Sequence, residues 1–210
     1  MPHPRRQKKS DIFINCPFDR DYQPVLQAIL FTTIHCGFRP RVTLECNDSG
    51  RVRFEKLLDI IAQCRYGIHD LSRTELDDEN KLPRFNMPFE LGVFLGARYL
   101  GEERFRSKKC LILDHEPYRY QKFLSDVAGQ DIKAHGSTVN RAIKVVRDWL
   151  SPSVPRIPLP GPALIQRDYQ QFLDQMPDIC QRMKLDTHSL PFSLEYIDFL
   201  SLATEWIRNQ

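Results

Sequence analysis

Short apolar runs alternate with amphipathic segments over the first 150 positions of this 210-residue chain. A short apolar run between turn-forming residues is typical of a strand, and apolar residues spaced three and four apart are typical of a helix. The pattern predicts strands over 11–16, 38–45, 66–71 and 109–114, and helices over 22–36, 52–63, 88–100 and 138–150. We therefore expect an α/β fold, a flavodoxin-like three-layer sandwich with a mostly parallel sheet.

The segment 151–162 carries five prolines and separates this domain, residues 10–150, from the C-terminal part. Such a composition predicts a stiff, extended linker. Beyond it, residues 163–210 contain two amphipathic segments, about 163–183 and 192–208. Neither can bury its apolar stripe alone, so we expect a helical hairpin appendage. It would dock on the main domain, or on another subunit or partner protein in a homo-oligomer or complex.

Composition excludes several classes of protein. The net charge of +3 is too small to indicate nucleic-acid binding. The sequence contains no run of 18 apolar residues, and no apolar stretch follows its basic start, so we expect neither a membrane span nor a signal peptide. The basic residues cluster in 1–9, which we expect to be a disordered tail, with a nucleic-acid or membrane contact as the alternative. The six cysteines show no metal spacing and indicate buried thiols in the cytoplasm.

Polar residues follow each predicted strand, at the edge where parallel sheets bind ligands. The Glu90 helix starts at the same edge. Pro88 suits a first helical position, which makes Met87 the N-cap and puts Glu90 in the first turn. The run after it, 91–97, is apolar almost all round, so we expect a buried helix, and Gly92 and Gly96 would let another backbone approach.

Glu90 has two interpretations. A lone acid near a helix N-terminus is either a capping residue, stabilised by the helix dipole, or a working carboxylate. An ionised carboxylate beside an anomeric carbon suits glycosyl transfer, as nucleophile or as stabiliser of an oxocarbenium-like transition state. Cys16, at the end of the first strand, is a weaker alternative nucleophile. No phosphate-loop, dinucleotide-binding or Ser-hydrolase motif occurs, and no metal site is expected.

Two families share this order of elements. Asp11-Ile-Phe-Ile-Asn15 resembles the first strand of TIR domains, and residues 58–72 resemble the TIR helix and strand that lead to the catalytic Glu helix. The same segment is similar to the nucleoside 2-deoxyribosyltransferase family, where Asp70 matches a strand-end Asp and Glu90-Leu-Gly92 matches a Glu-x-Gly. The resemblance covers residues 10–150. The loop before Glu90 reads Asn86-Met-Pro-Phe89 where TIR enzymes often have Ser-x-Trp-Cys, and the transferase Gly-Thr is missing.

The resemblance implies a Glu-dependent N-glycosidase that acts on NAD or a related nucleoside or nucleotide, as in bacterial TIR-like antiphage defence proteins. Glu90 would be catalytic, NAD would be a substrate, and no cofactor is expected. Ribose hydroxyls would meet Asp70 and Ser72. The remaining substrate-binding candidates are side chains that would flank the base, meet phosphates or line the site: Phe18, Phe85, Phe89, Arg20, Arg84, Cys16 and Asn86. The rival interpretation is a non-enzymatic TIR-like module for nucleotide sensing or protein assembly.

Overall fold

A computed structural model of the chain describes residues 10–45, 48–76, 81–154, 158–185 and 194–210. Its five strands are all parallel and form one sheet in the order β2-β1-β3-β4-β5. The strands are β1 (Asp11–Asn15), β2 (Arg39–Arg41), β3 (Tyr66–Asp70), β4 (Lys109–Asp114) and β5 (Lys133–Ala134). This order confirms the predicted flavodoxin-like α/β fold.

Helices connect the strands and cover both faces of the sheet. The main domain contains α1 (Gln23–His35), α2 (Arg53–Gln63), α3 (Asn86–Leu100) and α4 (Val139–Leu150), and the C-terminal part contains α5 (Pro162–Met183) and α6 (Tyr196–Arg208). Side chains alternate across β1, so Ile12 and Ile14 face the core with α1 and α4, whereas Phe13 packs with α2 and α3.

The C-terminal helices complete the core on the α1 side of the sheet. All residues of Val25–Ile34 in α1 are buried, and the Phe31 ring lies 5.2 Å from Tyr169, 5.4 Å from Phe172 and 6.0 Å from Trp206, centroid to centroid. The structure therefore docks α5 and α6 on the main domain, where most of their apolar stripes are covered.

Two element boundaries differ from the prediction. The second strand ends at Arg41 because the chain turns into a 3₁₀ helix at Thr43–Glu45, where the Arg41 guanidinium bonds Glu45. Pro40 is tolerated in this strand because β2 lies at the sheet edge. The sequence also predicts a short helix over 121–127, after β4; in the structure this segment contains two separate 3₁₀ turns, Arg119–Lys122 and Ser125–Val127.

Helix α3 differs most. It begins at Asn86, so Pro88 is its third residue, where the missing N–H again breaks no helical bond; Glu90 lies beyond the first turn. The prediction of a buried helix holds for Leu91 and Phe94, at 1% and 0% exposed, but α3 also has a solvent face, where Phe89 is 55% and Leu100 is 90% exposed.

Several predicted segments lie outside the described residues. These include the basic tail 1–9, residues 155–157 of the proline-rich segment, and 186–193 between the C-terminal helices. Among the helices that the structure describes, none has the length and apolar character needed to cross a membrane.

Candidate functional site

The carboxyl ends of β1 and β3 place a cluster of buried polar residues beside the start of α3. Asn15 ends β1, Asp70 ends β3, and both are within 1% of full burial. Asn15 bonds the backbone of Met87, in the first turn of α3. This edge is where open parallel sheets bind ligands, because the loops diverge there.

Glu90 is the buried carboxyl group of this edge that has no partner within the described chain. Glu90 is 7% exposed. Among the described residues, no group donates a hydrogen bond to the Glu90 carboxyl group or forms an ion pair with it. Burial raises the pKa of Glu90 to about 7, against a smaller lowering by the charge of Arg53. A carboxyl group held in this state can exchange a proton or a charge with a ligand near neutral pH.

Asn15 fixes the start of α3 and leaves one atom unsatisfied. Its Nδ2 donates to the Met87 carbonyl at 3.0 Å and lies 3.1 Å from Nδ1 of His69. Because the amide nitrogen must face the carbonyl, Oδ1 points elsewhere, and within the described residues it is buried without a donor. An orphaned buried acceptor beside the first turn of the Glu90 helix is a place where a ligand hydroxyl or amide could donate.

His69 is a neutral core histidine. Its ring lies between Phe13, at 5.6 Å, and Phe94, at 4.9 Å between centroids. Burial, and then the charge of Lys108, lowers its pKa to about 3. Gly67 makes room for the ring, since an added Cβ would lie 2.7 Å from Nε2. Nε2 finds no partner among the described residues, so within them the ring is hydrogen-bonded only through Nδ1, to Asn15.

Asp70 is saturated by protein donors. Its Oδ2 accepts from the Tyr22 hydroxyl at 2.7 Å and lies 2.9 Å from Nε2 of His135, while Oδ1 accepts from the Ser72 backbone N–H at 2.8 Å. Burial would raise the pKa of Asp70, but the bond and charge of His135 and the bonds from Ser72 and Tyr22 outweigh it and lower the pKa. With both oxygens engaged, the carboxylate presents no open atom to a ribose hydroxyl.

Ser72, His135 and Asp70 lie together but do not form a nucleophilic triad. The Ser137 backbone N–H donates to Nδ1 of His135 at 3.0 Å, which puts the imidazole proton on Nε2. Both the Ser72 hydroxyl and the Asp70 carboxylate lie 2.9 Å from that same nitrogen. A triad needs the acid and the serine on different ring nitrogens, so this histidine cannot act as a base for Ser72.

Cys16 is a buried thiol. It is fully buried, and burial raises its pKa well above the ordinary value, with a further increase from the charge of Asp70. A nucleophilic cysteine needs a lowered pKa, so the structure does not support Cys16 as a nucleophile.

Arg119 ties together the loops that follow β3 and β4. Its guanidinium donates to Asp114 at 2.9 Å, to the Thr74 hydroxyl at 3.0 Å and to the Leu71 carbonyl at 2.5 Å. The residue is therefore engaged in holding the loops rather than open to a phosphate.

The other predicted site residues divide between two surfaces. Phe18 is half-buried against the α1 core, and Arg20 is exposed beyond it. Arg84, Phe85 and Asn86 are exposed at the start of α3.

Phe89 lies apart from Glu90 although it precedes it. Its ring contacts Phe54 of α2, 5.7 Å away between centroids, on the solvent side of α3. Consecutive helical residues point about 100° apart, and Glu90 is on the buried side with Leu91. The structure thus places Phe89 on a different side of α3 from Glu90, and the Phe85 side chain is 67% exposed.

Sequence reasoning missed Asn15, Tyr22 and His135 as members of this site. An amide inside the apolar run of β1 is a signal that could have identified Asn15. Nothing local links Tyr22 or His135 to Asp70, which are separated from it by 48 and 65 positions.

Three cavities have linings that do not include Glu90 or Asn15. Cavities of about 630, 490 and 440 Å³ lie beside β4, between β2 and α6, and between α5 and α6. Across the described ranges, no three His, Cys, Asp or Glu side chains are grouped so that they could hold a metal ion. In comparisons with protein families, curated proteins and solved structures, no match to the chain was found.

Proposed function

We propose that this chain cleaves the N-glycosidic bond of NAD or of a related nucleoside or nucleotide, with Glu90 as the catalytic carboxylate. The observation that carries the proposal is the state of Glu90: nearly buried, without an internal partner among the described residues, and with a pKa of about 7 at the ligand-binding edge of a parallel sheet. The proposal also rests on the resemblance of residues 10–150 to TIR domains and deoxyribosyltransferases.

The charge of the substrate would favour the reactive form of Glu90. The nicotinamide ring of NAD is cationic, so its approach lowers the pKa of a neighbouring carboxyl group. The ionised oxygen then stabilises, or bonds to, the anomeric carbon while the C–N bond breaks and its electron pair leaves with the base. Water adds to the same carbon and loses a proton. Hydrolysis therefore yields the free base and a ribosyl product.

Asn15 and Asp70 take different parts in this proposal. The orphaned Oδ1 of Asn15 would accept from a ribose hydroxyl, whereas Asp70, with its oxygens engaged, would position the loop that carries Ser72. Contacts of Phe18, Arg20 and Arg84 with a base or phosphates stay predictions. A part in antiphage defence belongs to the same proposal and rests on the resemblance alone.

The test is incubation of the chain with NAD and with nucleoside monophosphates, read by liquid chromatography. Glu90→Gln keeps the shape and removes the charge, so turnover should fall by about two orders of magnitude or more. Glu55→Gln, an exposed glutamate on α2, is the matched control and should keep full activity. Turnover by Glu90→Gln at the wild-type rate would show that the carboxylate is not catalytic.

A second candidate is nucleotide binding without turnover, as in a sensing module. The observation that favours it is that Asp70, Ser72 and His135 bond one another at this edge and so offer no second acid or base for turnover. Calorimetric titration with NAD separates the two. Binding without any product would support the sensing module.

A further inference from the structure

The solvent face of α3 is unusual because it is largely apolar, although the Arg98 guanidinium lies 5.0 Å from the centroid of the Tyr99 ring. The helix contains two charged residues, Glu90, which is buried, and Arg98, which is half-buried. Facing solvent instead are Phe89 (55% exposed), Tyr99 (62%) and Leu100 (90%). Contiguous exposed apolar surface of this kind marks an interaction site in soluble proteins.

Two glycines lie between the exposed aromatic residues. A Cβ built on Gly92 or Gly96 would meet no other atom within 4 Å, so nothing in the described chain packs there. The positions Phe85, Phe89, Gly92, Gly96 and Tyr99 follow steps of four and three, the spacing of a coiled-coil seam. We call these five residues the α3 seam. Its small centre would let a second helix come close.

The order of large and small side chains along the α3 seam is the same in both directions. Phe89, Gly92, Gly96 and Tyr99 run large, small, small, large, so two antiparallel copies place Phe89 opposite Tyr99 and Gly92 opposite Gly96. A two-fold interface needs this reciprocity, in which residue i contacts j and j contacts i. We propose that the α3 seam packs antiparallel against the same seam of a second copy of this chain.

The exposed apolar area of this face and the absence of charged residues among the five seam positions are compatible with packing against a second copy. An aromatic side chain offers on the order of 150–250 Å², so the partly exposed rings of Phe54, Phe85, Phe89 and Tyr99 supply roughly 400 Å² per copy. With the exposed parts of Leu58 and Leu100 the face reaches about 600 Å², the lower end for a specific interface. Antiparallel helices also align their dipoles favourably, and no like charges meet within the seam.

The first test measures mass by light scattering over a range of concentrations. The full chain should dimerise, and Gly92→Glu should weaken the association at least about tenfold by placing a charge in the seam. The melting temperature of the Gly92→Glu variant should not fall below that of the wild-type chain at a concentration where the wild type is monomeric, because the added side chain enters open space. Gly161→Glu is the matched control, since that exposed glycine also has open space and lies at the start of α5. A wild-type chain that stays monomeric, or a Gly92→Glu variant that still dimerises fully, would overturn the proposal.

The second test addresses the antiparallel register. Phe89→Glu and Tyr99→Lys should each weaken self-association, because each homodimer would bury two unpaired charges. Mixing the two variants should restore a heterodimer. In it, the carboxylate introduced at position 89 of one copy lies opposite the ammonium introduced at position 99 of the other, while the native Phe89–Tyr99 pair re-forms at the second contact. A mixture that associates no better than its components would rule out this register.

Discussion

The hydroxyl of Tyr22 donates a 2.7 Å hydrogen bond to Oδ2 of Asp70. This bond joins the N-cap of α1 to the last residue of β3, and both groups are buried. The Asp70 carboxylate therefore acts as a junction between the sheet and the central helix. The Asp70 carboxylate acts only as a hydrogen-bond acceptor here, because each of its partners is a donor.

Asp70→Asn should destabilise the fold by about 2–4 kcal/mol, because an amide has only one oxygen. If that oxygen accepts from Tyr22 and His135, the amide NH₂ faces the Ser72 backbone N–H, and a buried donor is left unpaired. Urea denaturation measures this loss. The control Asp59→Asn removes an exposed ion pair with Arg51 and should change stability by less than about 1 kcal/mol. Equal stabilities for Asp70→Asn and the wild type would contradict the junction.

The same carboxylate predicts an acid limit for stability. The pKa of Asp70 is lower in the fold than its ordinary value of 3.8, so its contribution is present above about pH 4 and is lost as pH falls through the folded-state pKa. The stability difference between the wild type and Asp70→Asn should therefore narrow below about pH 4. A difference that stays constant into strong acid would show that the charge of Asp70 does not matter.

Glu90 should produce the opposite dependence on pH. Its pKa is raised to about 7 in the fold from an ordinary value of 4.5, so between these values the folded state binds more protons than the unfolded state and stability falls as pH rises. Glu90→Gln has no such charge and should be more stable than the wild type at pH 8 by about 1–3 kcal/mol, allowing for screening, with little difference at pH 4.5. Denaturation curves at the two pH values decide this.

Lys108 should be a structural lysine. It is 2% exposed, and its Nζ donates to the carbonyls of Ile61 and Cys64 at 2.5 Å each, at the end of α2, beneath the rings of Phe94 and Phe105. Lys108→Met should lower the free energy of unfolding by about 2–4 kcal/mol, because both carbonyls lose the ammonium donor and the Ile61 carbonyl keeps only the 3.3 Å bond from the Cys64 backbone N–H. Lys109→Met, at the exposed neighbouring position, should have almost no effect in the same denaturation experiment.

The C-terminal helices should be required for the stability of the main domain. Phe172 is fully buried and its ring lies 5.4 Å from Phe31, so Phe172→Ala should cost about 3–5 kcal/mol. Leu164→Ala in the same helix, at a position 38% exposed, should cost less than about 1 kcal/mol. Chemical denaturation followed by circular dichroism checks both. A small loss for Phe172→Ala would mean that α5 is only loosely attached.

Local pattern carried much of the fold. The apolar runs predicted β1, β3 and β4 to within a residue, and helical spacing predicted α5 within one residue of its observed bounds, Pro162–Met183. The second strand was predicted too long because the residues after Arg41 form a 3₁₀ turn instead of continuing the strand. Ion pairs of Arg41 with Asp11 and Glu45 accompany this turn.

The candidate site was less accessible to prediction. Glu90 stood out as a lone acid, but its missing partners depend on packing that no spacing reveals. His135 reaches Asp70 only because β5 lies beside β4. The apolar run of α3 was interpreted as a buried helix, since composition alone does not tell a core face from an exposed seam.

Helix α1 has no solvent face between Val25 and Ile34, and part of the surface that covers it comes from α5 and α6, more than 120 positions later in the sequence. During synthesis on the ribosome, the apolar surface of α1 therefore emerges long before α5 and α6 exist to cover it. The core around α1 is therefore complete only once α5 and α6 have left the exit tunnel, and until then the apolar surface of α1 is open to non-native contacts. A chain terminated ahead of α5 would thus leave the apolar surface of α1 exposed and would be prone to aggregate rather than fold into a shorter stable domain.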